Sequence, residues 1–86
     1  EDISLANWEV HTYPNPVKDI VNVEINGCKY SPIKITLVDI TGKIIQQQTN
    51  PKPNKSRLNL GKLQKGIYHL ILEQDHEIIS KKIIKN

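Results

Sequence analysis

The chain has 86 residues with one Cys, no Met and no Phe, which fits one domain with a modest core and excludes an internal disulfide or a multi-thiolate metal site. No apolar run approaches the roughly 20 residues of a membrane helix; the longest, Leu70-Ile71-Leu72 and Ile78-Ile79, are strand-sized, so no membrane-spanning segment is expected. The net charge of +3 divides into three Lys against six acids over residues 1–40 and nine basic against three acidic side chains over 41–86. The bases stand singly among Gln, Asn and Ser without aromatic interleaving, a pattern of solvated faces and not of a nucleic-acid site.

Fourteen residues are Ile. β-Branched side chains are stiff at χ1 and fit a pleated sheet, so this composition points to β structure before any periodicity is counted. Residues 1–7 show no period and read as a linker or lead-in, leaving 8–86 as the domain. Trp8 to Tyr13 alternates Trp8, Val10 and Thr12 against Glu9, His11 and Tyr13, a first strand. Tyr13-Pro14-Asn15-Pro16 stops it, because proline has no N–H and restricts the residue before it. Asp19 to Ile25 is the next strand, with Val21, Val23 and Ile25 inward. Asn26-Gly27 is a tight-turn dipeptide, and Cys28 to Pro32 is a connection.

Ile33 to Asp39 is the cleanest alternation, with Ile33, Ile35 and Leu37 inward and Lys34 and Thr36 outward. Asp39-Ile40-Thr41-Gly42-Lys43 reads as a hairpin turn, Asp39 accepting a local N–H and Gly42 supplying the left-handed position of a bulged turn. Lys43 to Thr49 returns. Asn50 to Lys55, with two prolines, is a loop, and Ser56 to Leu60 alternates again. Gly61 to Gly66 is a loop in which Leu63 plugs the core. Gly66 to Glu73 is apolar on both faces, as a central strand would be. Gln74-Asp75-His76 turns the chain into the last strand, Glu77 to Lys85. About seven short strands at 8–12-residue spacing, without helical period, predict an all-β fold, a small antiparallel β-sandwich.

Catalysis lacks its materials. His11, His69 and His76 fall on different predicted elements with no metal-ligand spacing. Cys28 has no local partner and reads as a small buried hydrophobe. Ser4, Ser31, Ser56 and Ser80 lack a nucleophile-elbow glycine pattern. No calcium loop and no phosphate-cradling glycine loop occur. No enzyme activity, metal or cofactor is therefore expected. Trp8 and Tyr30 could stack a sugar, although a lone Trp in a small β domain is more often core.

Four motifs in order resemble the type A C-terminal sorting domain of type IX secretion cargo in Bacteroidetes. They are Tyr13-Pro14-Asn15-Pro16, then Asp39, Gly42 and Lys43, then Leu63, Gly66 and Tyr68, and last Lys81-Lys82-Ile83-Ile84-Lys85. The resemblance covers Tyr13 to Asn86. It implies a seven-stranded immunoglobulin-like sandwich, and a domain that is an address label and not an enzyme. It implies export of an attached upstream cargo through the type IX translocon, by way of the periplasm, to the cell surface or outside. It further implies removal by a sortase-like cysteine peptidase, for which the segment before Tyr13 is the natural cleavage region. The family often carries Gly in the last hairpin turn, where this chain has Asp75-His76.

Most motif residues also have a structural explanation, since prolines end a strand and glycines take positive φ. The terminal strand differs: Lys81, Lys82 and Lys85 flank Ile83-Ile84 at a chain end. There, unpaired edge groups can add to a partner's sheet. These five residues are the expected translocon or peptidase recognition site, and edge pairing into a dimer is a further expectation. With no Met, the chain is expected to be a piece cut from a longer protein. Two other classes stay open on the residues: a fibronectin-like or carbohydrate-binding module appended to an extracellular enzyme, with an exposed aromatic face, and a structural spacer followed by more chain.

Overall fold

The computed structural model describes residues 3–4, 7–29, 31–51 and 55–86. It holds two antiparallel sheets. The eight strands are β1 (Ile3–Ser4), β2 (Glu9–Tyr13), β3 (Ile20–Asn26), β4 (Ile33–Asp39), β5 (Ile44–Asn50), β6 (Lys55–Asn59), β7 (Gly66–Gln74) and β8 (Glu77–Lys85). The larger sheet has the order β1-β8-β7-β4-β5 and the smaller β2-β3-β6. The all-β, seven-strand expectation holds for β2 to β8. The addition is β1, two residues of the expected lead-in, paired as Ile3↔Ser80 and Ser4↔Ile79. A segment this short carries no period, so only the partner strand reveals it.

The core lies between the sheets and follows the period-two alternation. Val10, Val21, Val23, Ile25 and Leu58 face Ile33, Ile35, Leu37, Leu70, Leu72, Ile79 and Ile83, all buried. Trp8, Val17 and Leu60 close it from outside the strands, and Leu63 packs against it as expected. Each buried aliphatic side chain contributes about 1.5–3 kcal/mol.

Three local features depart from the alternation. Thr36 points away from the core yet is buried on a strand flanked by β5 and β7, and Gln47 Nε2 donates to its hydroxyl at 3.1 Å. β7 is interior to its sheet, but only one of its faces is buried, and Ile67 on the other is 41% exposed. Gln74, expected in a turn, ends β7 and is 1% exposed. Its amide donates to the carbonyls of Lys29 and Ser31 at 2.7 and 2.9 Å and accepts from the Lys29 amide at 3.1 Å. The last hairpin manages without glycine: Asp75 itself takes the left-handed conformation, φ 55°, which Asp tolerates better than most residues.

Candidate functional site

The four motif segments are far apart in sequence and meet at one end of the sandwich. Register shows this. Asp39 at the end of β4 pairs with Tyr68 at the start of β7, and Tyr68 pairs with Ile83 near the end of β8. Val17, directly after the proline segment, bridges Lys85 in parallel. The smaller sheet reaches the same end, since Gln46 Nε2 donates to the Asn59 carbonyl at 2.9 Å and Leu60 N–H to the Asp19 carbonyl at 2.6 Å.

The hairpin turn is organised by one carboxylate. Asp39 Oδ1 accepts from the Thr41 hydroxyl at 2.6 Å, the Thr41 amide at 2.9 Å and the Lys43 amide at 3.0 Å. The Thr41 hydroxyl bond, then these amides and the nearby Lys43 charge, hold the Asp39 carboxyl below its usual range against a smaller opposing effect of desolvation. Gly42 closes the turn at φ 89°, donating to the Asp39 carbonyl at 3.0 Å. A Cβ there would meet nothing within 4 Å, so glycine is required by backbone conformation and not by space. Tyr68 is buried and its hydroxyl donates to the Gln64 carbonyl at 2.7 Å, tying the Gly61–Gly66 loop to β7.

The proline segment clasps the last strand. Asn15 Nδ2 donates to the Lys82 carbonyl and Asn15 Oδ1 accepts from the Ile84 amide, both at 2.9 Å. The carboxamide thus brackets Ile83 as a backbone peptide group of a neighbouring strand would. Val17 continues the bracket, its N–H donating to the Ile84 carbonyl at 2.8 Å and its carbonyl accepting from the Asn86 amide at 2.9 Å. Ser80 is paired with β1. The expectation of an unpaired terminal edge is therefore corrected: from Ser80 to Asn86 the outer side of β8 is largely occupied by Ile3, Asn15 and Val17. A strand-adding partner would have to displace these bonds.

The five residues of the terminal motif have different surroundings. Ile83 is fully buried. Lys85, expected as a solvated flank, is 7% exposed and its Nζ donates to the Asn86 carbonyl at 2.7 Å. Lys82 is exposed, and Lys81 and Ile84 are half-buried. The charge of the connections at this end is basic. Lys18, Lys43, Lys62, Lys65 and Lys82 are exposed here, against Asp19 and the half-buried Asp39. At the other end Lys29 lies 3.7 Å from Asp75. Five of the exposed basic side chains are thus brought to this end, four in its connections and Lys82 on β8, while Lys29, Lys34, Lys55 and Arg57 lie elsewhere.

The other candidate residues are dispersed. His11 is on β2 beside Glu9 at 3.4 Å, His69 on β7 and His76 in the last turn. Among the described residues no His, Cys, Asp or Glu group could hold a metal ion, and no helix is long and apolar enough to cross a membrane. Cys28 is a free thiol packed against the core. Trp8 is 4% exposed and offers no stacking face for a sugar; Tyr30, the other aromatic considered for that role, lies outside the described residues. Sequence reading missed Asn15 as a strand surrogate and Gln74 as a buried clasp. Only the flanking prolines hinted at the first.

A family model described as the secretion system C-terminal sorting domain matches residues 11–86. Comparison with curated proteins finds no match.

Proposed function

Because the chain belongs to the family of type IX secretion system C-terminal sorting domains, we propose that it carries an attached upstream cargo across the outer membrane and is read at the end of the sandwich where its motifs meet. The cargo passes through the periplasm, and a sortase-like cysteine peptidase then removes the domain by cutting ahead of Tyr13. The observation that carries this reading is the clasp of Asn15 and Val17 on residues 82–86, which holds the last strand in one ordered conformation. Within that strand Lys81, Lys82, Ile83, Ile84 and Lys85 form the recognition segment. Ile83 and Lys85 act from inside by fixing the strand, and Lys82 offers an exposed charge.

The test is a fusion of residues 1–86 to a periplasmic fluorescent reporter in a host with a working type IX system. Reporter outside the outer membrane is expected. Retention of the fusion in a host that exports its own type IX cargo would refute the reading. Lys82→Glu tests the tail itself, since an exposed substitution leaves the fold within about 0.5 kcal/mol. Unchanged export of that variant would remove Lys82 from the recognition segment.

A further inference from the structure

Five of the six exposed large hydrophobic side chains among the described residues lie at the motif end of the sandwich. They are Tyr13 at the end of β2, Ile20 at the start of β3, Ile40 in the hairpin turn, Ile44 at the start of β5 and Ile67 at the start of β7. Ile40 and Ile44 are 74% and 56% exposed. Single exposed hydrophobics are ordinary on a monomer; here Ile20 faces out from the smaller sheet and Ile67 from the larger, with Ile40 and Ile44 at the hairpin between them, so they ring this end of the sandwich. Exposed lysines stand in the same connections.

Resting on the sorting reading, we propose that this whole end, loops as well as tail, docks on an acidic, apolar-lined protein surface of the export machinery. The isoleucines supply the desolvated contacts, and the cations supply orientation and rate through charge complementarity. Between the Gly61–Gly66 loop and β5 runs a shallow groove lined by Gln46, Asn59, Lys62 and Leu63, a concave feature that a protein ridge can enter. An anionic lipid surface fits less well. Membrane-interface anchoring favours a belt of exposed aromatic side chains, and of the described aromatics this end exposes Tyr13 alone, Trp8 and Tyr68 being buried.

The reporter fusion tests this with substitutions outside the tail. Lys18→Glu, Lys62→Glu and Lys65→Glu combined should lower export about tenfold or more, because like charges at an interface oppose docking. Ile40→Ser should lower it severalfold, and Ile78→Ser at the other end should leave it within about twofold. Thermal unfolding of each 86-residue variant confirms that it is folded. Export of the triple variant within about twofold of the unaltered fusion would overturn the proposal. So would binding of the unaltered chain to phosphatidylglycerol vesicles, lost together with export in the triple variant, which assigns the face to lipid. If the unaltered fusion is not exported, the sorting reading fails and this inference falls with it, an outcome visible before any substitution is made.

Discussion

Removing residues 82–86 is expected to unfold the domain as well as shorten it. Ile83 is fully buried against β7, and losing an Ile side chain from a packed core costs about 3 kcal/mol. The truncation also removes four outer-edge hydrogen bonds, two to Asn15 and two to Val17, at about 1 kcal/mol each. The ladder from Lys82–Lys85 to Gly66–His69 goes too. The loss is therefore at least about 7 kcal/mol, against a total stability of roughly 4–13 kcal/mol for a chain of this length. Far-UV circular dichroism of the intact and truncated chains during heating measures the effect. The truncated chain should show no cooperative transition, or a midpoint at least about 25 °C lower. A cooperative melt within about 5 °C of the intact chain would refute the reasoning. Export lost on truncation then reports on folding before it reports on recognition, and Lys82→Glu is the sharper probe.

Asn15→Ala removes the carboxamide bracket and should cost about 2 kcal/mol, with faster hydrogen exchange at the Ile84 amide and little change at Leu37 and Leu70; two-dimensional NMR reads both. Asp39 ties a turn as its anion, and its carboxyl is held below the usual range chiefly by the Thr41 hydroxyl. A lowered folded-state pKa gives stability that is complete above the unfolded value of about 4 and is lost as pH falls through the folded value. Melting midpoints from neutral to strongly acidic pH should thus fall less at the acid end in Asp39→Asn than in the unaltered chain; parallel curves would contradict the turn's dependence on the anion. Gln74→Leu leaves the Lys29 amide and the Lys29 and Ser31 carbonyls without their partner and should cost about 3 kcal/mol by urea unfolding.

The strands were legible because the sequence alternates where one face is buried. Ile33–Asp39 and Glu77–Lys85 coincide with the expected spans, and the inward set Val21, Val23 and Ile25 is buried. The hairpin was legible because a local carboxylate and a glycine define it, all within five residues. What could not be read are contacts made across long sequence separations by polar side chains. Asn15 reaches residues 67 and 69 positions away, and Gln74 reaches residues 45 and 43 positions away. An amide in a loop or at a strand end carries no period, and nothing in its neighbours names its partner. The placement of the charges was illegible for the same reason. Lysines that stand singly along the chain share one end only because three connections and the last strand meet there.

The motif residues and the contact residues are then different sets with different jobs. Asp39, Gly42, Tyr68, Asn15 and Ile83 turn, clasp or fill the motif end, and the partners of each are within the chain. Substitution of any of them should weaken export by loosening that end, and the loss should track hydrogen exchange or melting. Lys18, Lys62, Lys65 and Ile40 are exposed, so their substitution should weaken export while melting stays fixed. Plotting export against stability across both sets separates the two roles. Points from the first set fall along a slope, and points from the second fall vertically below the unaltered chain. If both sets share one slope, export depends only on how well the end is folded, and no exposed side chain is read.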